Sequence, residues 1–280
     1  MVSSCRASAS PAWACPDVDE ALAARLGRDH GVHPYAKWRG AFWRLLSLVE
    51  LGAGCDEPGV SEAAEQTLAW LASPPRLNEI HRRVIDGRVR RCASQDGRGL
   101  WACCRLGLED GRLHTLAESL VETQWPDGGW NCDRHRECTR SSFHETWGPI
   151  QGLAAYGASD AAARGADFLL RHRVVFSERT GRPAHPVFLE LSYPPYWHYD
   201  VLVGLTSLER SVGLDDPRAS DAVDLLESKR RLDGTWHCER RWWKRPGSKG
   251  SGVEAVDWGA AADELLTARA RHVLQAAGRG

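Results

Sequence analysis

The 280-residue chain has a single methionine, and only 4 of its 36 basic residues are lysines. This bias, with frequent alanine and glycine, fits a GC-rich bacterial genome and carries no functional information. Charge of one sign is absent too: 36 basic residues face 37 acidic ones, a formal net charge of -1. No global field therefore draws nucleic acid or an anionic membrane surface. No run reaches the roughly 20 apolar residues that a membrane span needs, so no transmembrane segment is expected. The opening "MVSSCRASASPAWACPDVDE" has no continuous apolar core, which argues against a secretory signal. The chain has nine cysteines but no CxxC pair, which excludes a zinc ribbon. Their odd number and irregular spacing predict reduced thiols and a cytoplasmic location. Residues 1–16 are expected to form a disordered tail, and 17–280 a single domain.

Strand patterns are also scarce; what recurs is helical periodicity. Five apolar segments, Lys37–Gly52, Gly97–Leu108, Glu145–Gly157, Tyr199–Gly213 and Ala262–Gly278, lie about 50 residues apart. They are apolar on more than one face, as buried helices are. Between them run more polar segments: "SEAAEQTLAWLAS", "GRLHTLAESLVETQ", "SDAAARGADFLLRHR" and "DPRASDAVDLLESKRR". Ser159-Asp160 offers N-cap chemistry, and Pro217 sits just inside a helix start. A buried helix alternating with an amphipathic one predicts an array of helical hairpins, open as a solenoid or closed as a ring.

Two loops repeat. "QWPDGGWNCD" (Gln124–Asp133) and "RRLDGTWHCE" (Arg230–Glu239) each place an acid, Gly, Trp and Cys between an amphipathic helix and a buried one. Their tryptophans are expected to be structural staples. The pattern resembles the Gln-Trp repeats of the squalene–hopene cyclase and protein prenyltransferase superfamily. "SSFHETWGPIQGLAAYG" is similar to an inner-helix segment of protein prenyltransferase β subunits, and the whole chain resembles short bacterial prenyltransferase or squalene-oxidase repeat proteins. The resemblance implies an all-α fold, an α/α toroid of about five helical hairpins whose inner helices surround a central cavity. It also implies an isoprenoid-like substrate, and His144 matches the position of the prenyltransferases' zinc-binding histidine. Their Asp-x-Cys pair is absent. So are the D-x-D-D and D-D-x-x-D motifs of terpene cyclases, which argues against standard cyclisation.

In such a ring the starts of the inner helices share one rim. That places Cys132-Asp133, His144-Glu145, His198-Tyr199-Asp200 and Asp257-Trp258 together. His144, His198, Asp200, Asp257 and Asp133 are the candidate acid–base residues. Asp200 and Asp257 also suit simple helix capping. The aromatic stretch "YPPYWHYD" supplies Tyr196, Trp197 and Tyr199 as pocket walls, joined by Trp258 and Trp147; such faces stabilise cations. Arg240, Arg241 and Lys244, in "ERRWWKRPGSKGSG", suit an anionic group. Cys132, His144 and Asp200 form a candidate Zn²⁺ ligand set. Pro149 means that the inner helix either begins there, with His144 before it, or kinks. The expected function is an enzyme that cyclises, isomerises or prenylates an apolar substrate in the cavity. The alternatives are a non-catalytic toroid holding a hydrophobic ligand or peptide, and a carbohydrate-active α/α barrel with two facing carboxylates.

Overall fold

A computed structural model describes residues 31–57 and 59–279. The expected tail, residues 1–16, and the first residues of the expected domain lie outside these. The described residues form ten α-helices and one two-stranded sheet. In chain order the helices are α1 (Ala41–Glu50), α2 (Val60–Leu71), α3 (Pro74–Arg82), α4 (Ala93–Arg105), α5 (Gly111–Glu122), α6 (Phe143–Tyr156), α7 (Ser159–Arg171), α8 (Val201–Glu209), α9 (Ser220–Ser228) and α10 (Gly259–Ala276). The all-α expectation holds. None of the described helices is long and apolar enough to cross a membrane.

Two classes of helix alternate. Every residue of α1 is buried, and so are Val201–Leu208 of α8. By contrast α7 buries Ala161, Ala162, Gly165, Ala166 and Phe168–Leu170, one stripe at helical spacing. The buried helices touch in succession: α1 with α4, α4 with α6, α6 with α8, and α8 with α10. The closest approach is between α4 and α6, where Gly97 faces Gly148, Pro149 and Gly152. A Cβ on Gly97 would sit 2.2 Å from the Pro149 nitrogen, so only glycine permits this spacing. Helix α6 runs through Pro149 without a break, and His144 therefore lies in its first turn.

The repeated loops act as equivalent staples. Trp130 Nε1 donates to the Leu120 carbonyl at 3.0 Å, and Trp236 Nε1 to the Leu226 carbonyl at 2.8 Å. The Trp130 and Trp236 backbone N–H groups donate to Thr146 and Thr267 hydroxyls on the following inner helices. Each indole thus ties an outer helix end to the next inner helix. Sequence patterning missed α3 and the hairpin after it, β1 (Val84–Ile85) and β2 (Arg88–Val89). Asp86 and Gly87, both at positive φ, make the two-residue turn that such hairpins require.

Charged and polar side chains meet between the buried helices. Glu50 on α1 accepts from Arg98 of α4 at 2.5 Å and pairs with Arg269 of α10 at 3.1 Å. Arg98 and Arg210 both donate to Gln151 Oε1 on α6 at 2.8 Å, and Gln151 donates to Ser207 of α8. One polar network therefore joins all five inner helices. Above it Tyr193, Pro194, Pro195 and Tyr196 fold inward. They leave a cavity of about 20 Å³ against Trp43, Leu46, Ser47, Glu50 and Arg98. That is room for one water.

Candidate metal centre

Two loops are clasped together before α4 and α6. The Arg91 N–H donates to the Asn131 carbonyl at 3.0 Å, which sets the next residue of each loop, Cys92 and Cys132, side by side. Cys92 occupies the N-cap of α4. Glu145, in the first turn of α6, is buried and reaches the same point. Its Oε2 accepts from the Ser94 N–H and Oγ, both at 2.9 Å. The Cys92 and Cys132 sulfurs and a Glu145 carboxylate oxygen all lie within 4.8 Å of one another. No other such group of His, Cys, Asp or Glu occurs among the described residues.

The surroundings are electrostatically organised. The Cys132 thiol donates to Cys92, which pulls the Cys92 pKa down and pushes that of Cys132 up. Burial raises the Glu145 pKa against the bonds from Ser94 and Cys132. Beside them Asp96 is fully buried, yet Arg76 and Arg91 (each at 2.6 Å) overcome that burial and hold its carboxyl below the usual range. Arg91 also donates to Ser119 and Thr123, so its charge is well anchored. The Tyr35 hydroxyl bonds the Gln95 side chain, and burial keeps it protonated. A cleft of about 410 Å³ opens onto this centre, lined by Trp70, Arg76, Ile80, Arg83, Cys92 and Gln95, among others.

Two thiolates and a carboxylate suit Zn²⁺, with a fourth position left for water or substrate. Bonds of about 2.3 Å to sulfur and 2.1 Å to oxygen put tetrahedral ligand atoms roughly 3.4–3.8 Å apart. Contraction from within 4.8 Å is a matter of side-chain rotation, and both cysteines lie outside helix interiors.

The expected ligand set shares only Cys132 with this group. Asp200 is used up: one oxygen accepts from the Val203 N–H as the α8 N-cap, the other from Ser192 N–H and Oγ. Burial lifts its pKa to about 6. His144 and His198 do come together, with ring centroids 6.4 Å apart. Yet His198 is stacked between Trp197 at 3.8 Å and Trp242 at 3.6 Å. Its Nδ1 is bonded to the Pro195 carbonyl, and burial drops its pKa to about 3. The ring is therefore neutral at ordinary pH. Burial lowers the His144 pKa as well.

The remaining expected acids stand apart. Asp133 is half-buried and accepts from the Cys138 thiol and the His135 N–H. Asp257 is exposed, accepts from the Gly259 N–H, and lies 3.7 Å from Arg245. The expected aromatic residues pack against one another and against cations. Tyr196 stacks on Trp38 and bonds Glu254. The Tyr199 hydroxyl donates to the Val174 carbonyl. Trp147 lies beneath Arg98, and Trp258 is buried with its edge against Tyr193. Trp197 takes Lys37 on its face. Arg240 pairs with Glu190 at 2.6 Å, Arg241 covers Trp243, and Lys244 bonds the Lys249 carbonyl. Arg240 and Arg241, but not Lys244, share a cleft of about 500 Å³ that holds Glu239 and Asp263 as well.

Cys92 and Tyr35 are the residues that sequence reasoning passed over; Glu145 was placed on the same rim as Cys132 but not chosen as a ligand. One signal was available: Cys92, Cys132 and Cys238 each lie in the loop leading into an inner helix. The expectation of reduced thiols also needs one correction. Cys55 is disulfide-bonded, whereas Cys92, Cys103, Cys104, Cys132, Cys138 and Cys238 are free. No protein-family model matches the chain, and no curated protein is significantly similar to it.

Proposed function

We propose that the five inner helices close into an α/α toroid and that the chain is a zinc-dependent enzyme with its reaction centre at Cys92, Cys132 and Glu145. One observation carries this reading: two sulfurs and a carboxylate oxygen converge within 4.8 Å beside a cleft that Cys92 lines. The link from Glu50 to both Arg98 and Arg269 supports ring closure, because it joins the first inner helix to the last. Bound zinc would supply a Lewis acid with an open coordination position. The chain's own residues do the rest. Ser94 orients Glu145 through two hydrogen bonds. The Arg76–Asp96–Arg91 cluster has one more positive than negative charge, which offsets a donor set richer in negative charge than the metal is in positive. Tyr35, protonated and held by Gln95, keeps a hydroxyl donor near the ligands.

The substrate on this reading occupies the cleft beside Trp70, not the ring centre. Cyclising or isomerising an enclosed isoprenoid needs a chamber far larger than about 20 Å³. Transfer to, or hydrolysis by, a nucleophile at an open metal position needs none. The test is metal content by elemental analysis after zinc loading. One zinc per chain is expected, falling severalfold in Cys92→Ser, Cys132→Ser and Glu145→Gln, and unchanged in His144→Ala. Full occupancy in Cys92→Ser, or none in the parent chain, overturns the reading.

A further inference from the structure

The geometry points to Cys92 and Cys132 as a redox pair that switches the metal centre off by forming a disulfide; the switching rests on the zinc reading above, the pairing does not. The two loops are already held together by the Arg91–Asn131 backbone bond. Their sulfurs are within 4.8 Å and must close to about 2.05 Å. Both residues lie in loops or at a helix edge, so this movement leaves the helix interiors intact. The remaining free thiols of the described residues are placed otherwise. Cys103 is fully buried in the core, Cys104 packs against it, Cys138 is bonded to Asp133 and Cys238 to Asp263.

Both cysteines are half-buried, and Cys92 lines the cleft, so the steps are written from Cys92 with a small-molecule disulfide as oxidant. The Cys92 thiolate attacks one sulfur of the oxidant, forming a mixed disulfide and expelling one thiolate. The Cys132 thiolate then attacks the Cys92 sulfur and expels the second. The cysteines lose two electrons and the oxidant gains them; the two expelled thiolates take protons from solvent. A zinc ion bound there loses two of its three protein ligands and leaves. A thiol reductant reverses every step.

The experiment treats the zinc-loaded full chain with oxidised glutathione. Peptides are mapped without reduction while a chromogenic chelator reads free zinc. The expected result is a Cys92–Cys132 crosslink, with one zinc released per bond and regained after reduction. Cys132→Ser should stop at a glutathione adduct on Cys92, and Cys138→Ser should crosslink like the parent chain; circular dichroism confirms that both variants fold. A crosslink through Cys138, or both sulfurs still alkylatable after oxidation, overturns the pairing. Zinc retained in the crosslinked chain overturns the switching. A crosslink in a chain that never binds zinc sustains the pairing and removes the metal reading, whereas bound zinc with persistently reduced thiols removes the pairing alone.

Discussion

Replacing Glu50 with glutamine tests whether one network holds the five inner helices. Glu50 faces two guanidiniums, Arg98 at 2.5 Å and Arg269 at 3.1 Å, and all three side chains are buried. Glu50→Gln keeps the shape but leaves both arginines without their anion. Removing one partner of a buried ion pair costs about 3–5 kcal/mol, and here two cations lose the same partner. For a chain of this size that is a fall in Tm of order 10 °C. The proximity of Arg269 and Arg98 also outweighs burial and pulls the Glu50 pKa from 4.5 to about 2. A carboxyl with a depressed folded pKa stabilises above its unfolded pKa, so this contribution fades as pH falls from about 4.5 towards 2. The shift corresponds to about 3 kcal/mol. Urea titrations of parent and variant, followed by circular dichroism and tryptophan fluorescence between pH 2 and 7, read both effects. Glu50→Gln should be weaker at pH 7 and should lose most of the acid-side slope. A deficit under about 1 kcal/mol, or an unchanged slope, would show that the network does not bind the five buried helices together. Glu50→Leu combined with Arg98→Met and Arg269→Leu should recover much of the loss, because apolar replacement of a whole buried ionic cluster is often neutral.

Asp200 should behave with the opposite sign. Its folded pKa is raised to about 6, so its stabilisation is greatest at low pH and declines as pH rises from about 4 to 6; Asp200→Asn should flatten that decline in the same titrations. His198 should stay neutral down to about pH 3, so its ring resonances should not move between pH 5 and 8; a midpoint near 6.5 would contradict the stacked, dry placement. Trp130→Phe and Trp236→Phe should each cost about 1 kcal/mol by removing a buried hydrogen bond; the Leu120 and Leu226 carbonyls keep a second donor, the Thr123 hydroxyl and the Lys229 N–H. Similar costs in the two variants would support equivalent staples, and a cost in only one would refute the equivalence.

The alternation of helices was legible because burial leaves its period in the residues themselves. Ala161, Gly165 and Phe168 mark one face of α7, and the unbroken apolar run of α8 marks a helix buried all round. The stapling tryptophans were legible because the loop occurs twice. The polar network between the buried helices was not. Glu50 and Arg98 stand in helices over 40 residues apart, and nothing local says that they meet. The inward fold of Tyr193–Tyr196 likewise depends on Trp38 and Glu254, distant partners that stack on and bond Tyr196. The histidines of positions 144 and 198 do approach one another, but the stacking of His198 between Trp197 and Trp242 joins residues over 40 apart and was not legible. Cys132 was legible as a candidate ligand. Cys92 was not, because the backbone bond from Arg91 to Asn131 spans 40 residues and leaves no pattern in the sequence.

The most direct test of the zinc centre is X-ray absorption at the zinc edge of the loaded chain. The account predicts two sulfur scatterers at about 2.3 Å and oxygen scatterers near 2.0–2.2 Å, with one sulfur lost in Cys92→Ser and the histidine-ring signature absent. A shell dominated by imidazole nitrogen, or one without sulfur, would contradict it.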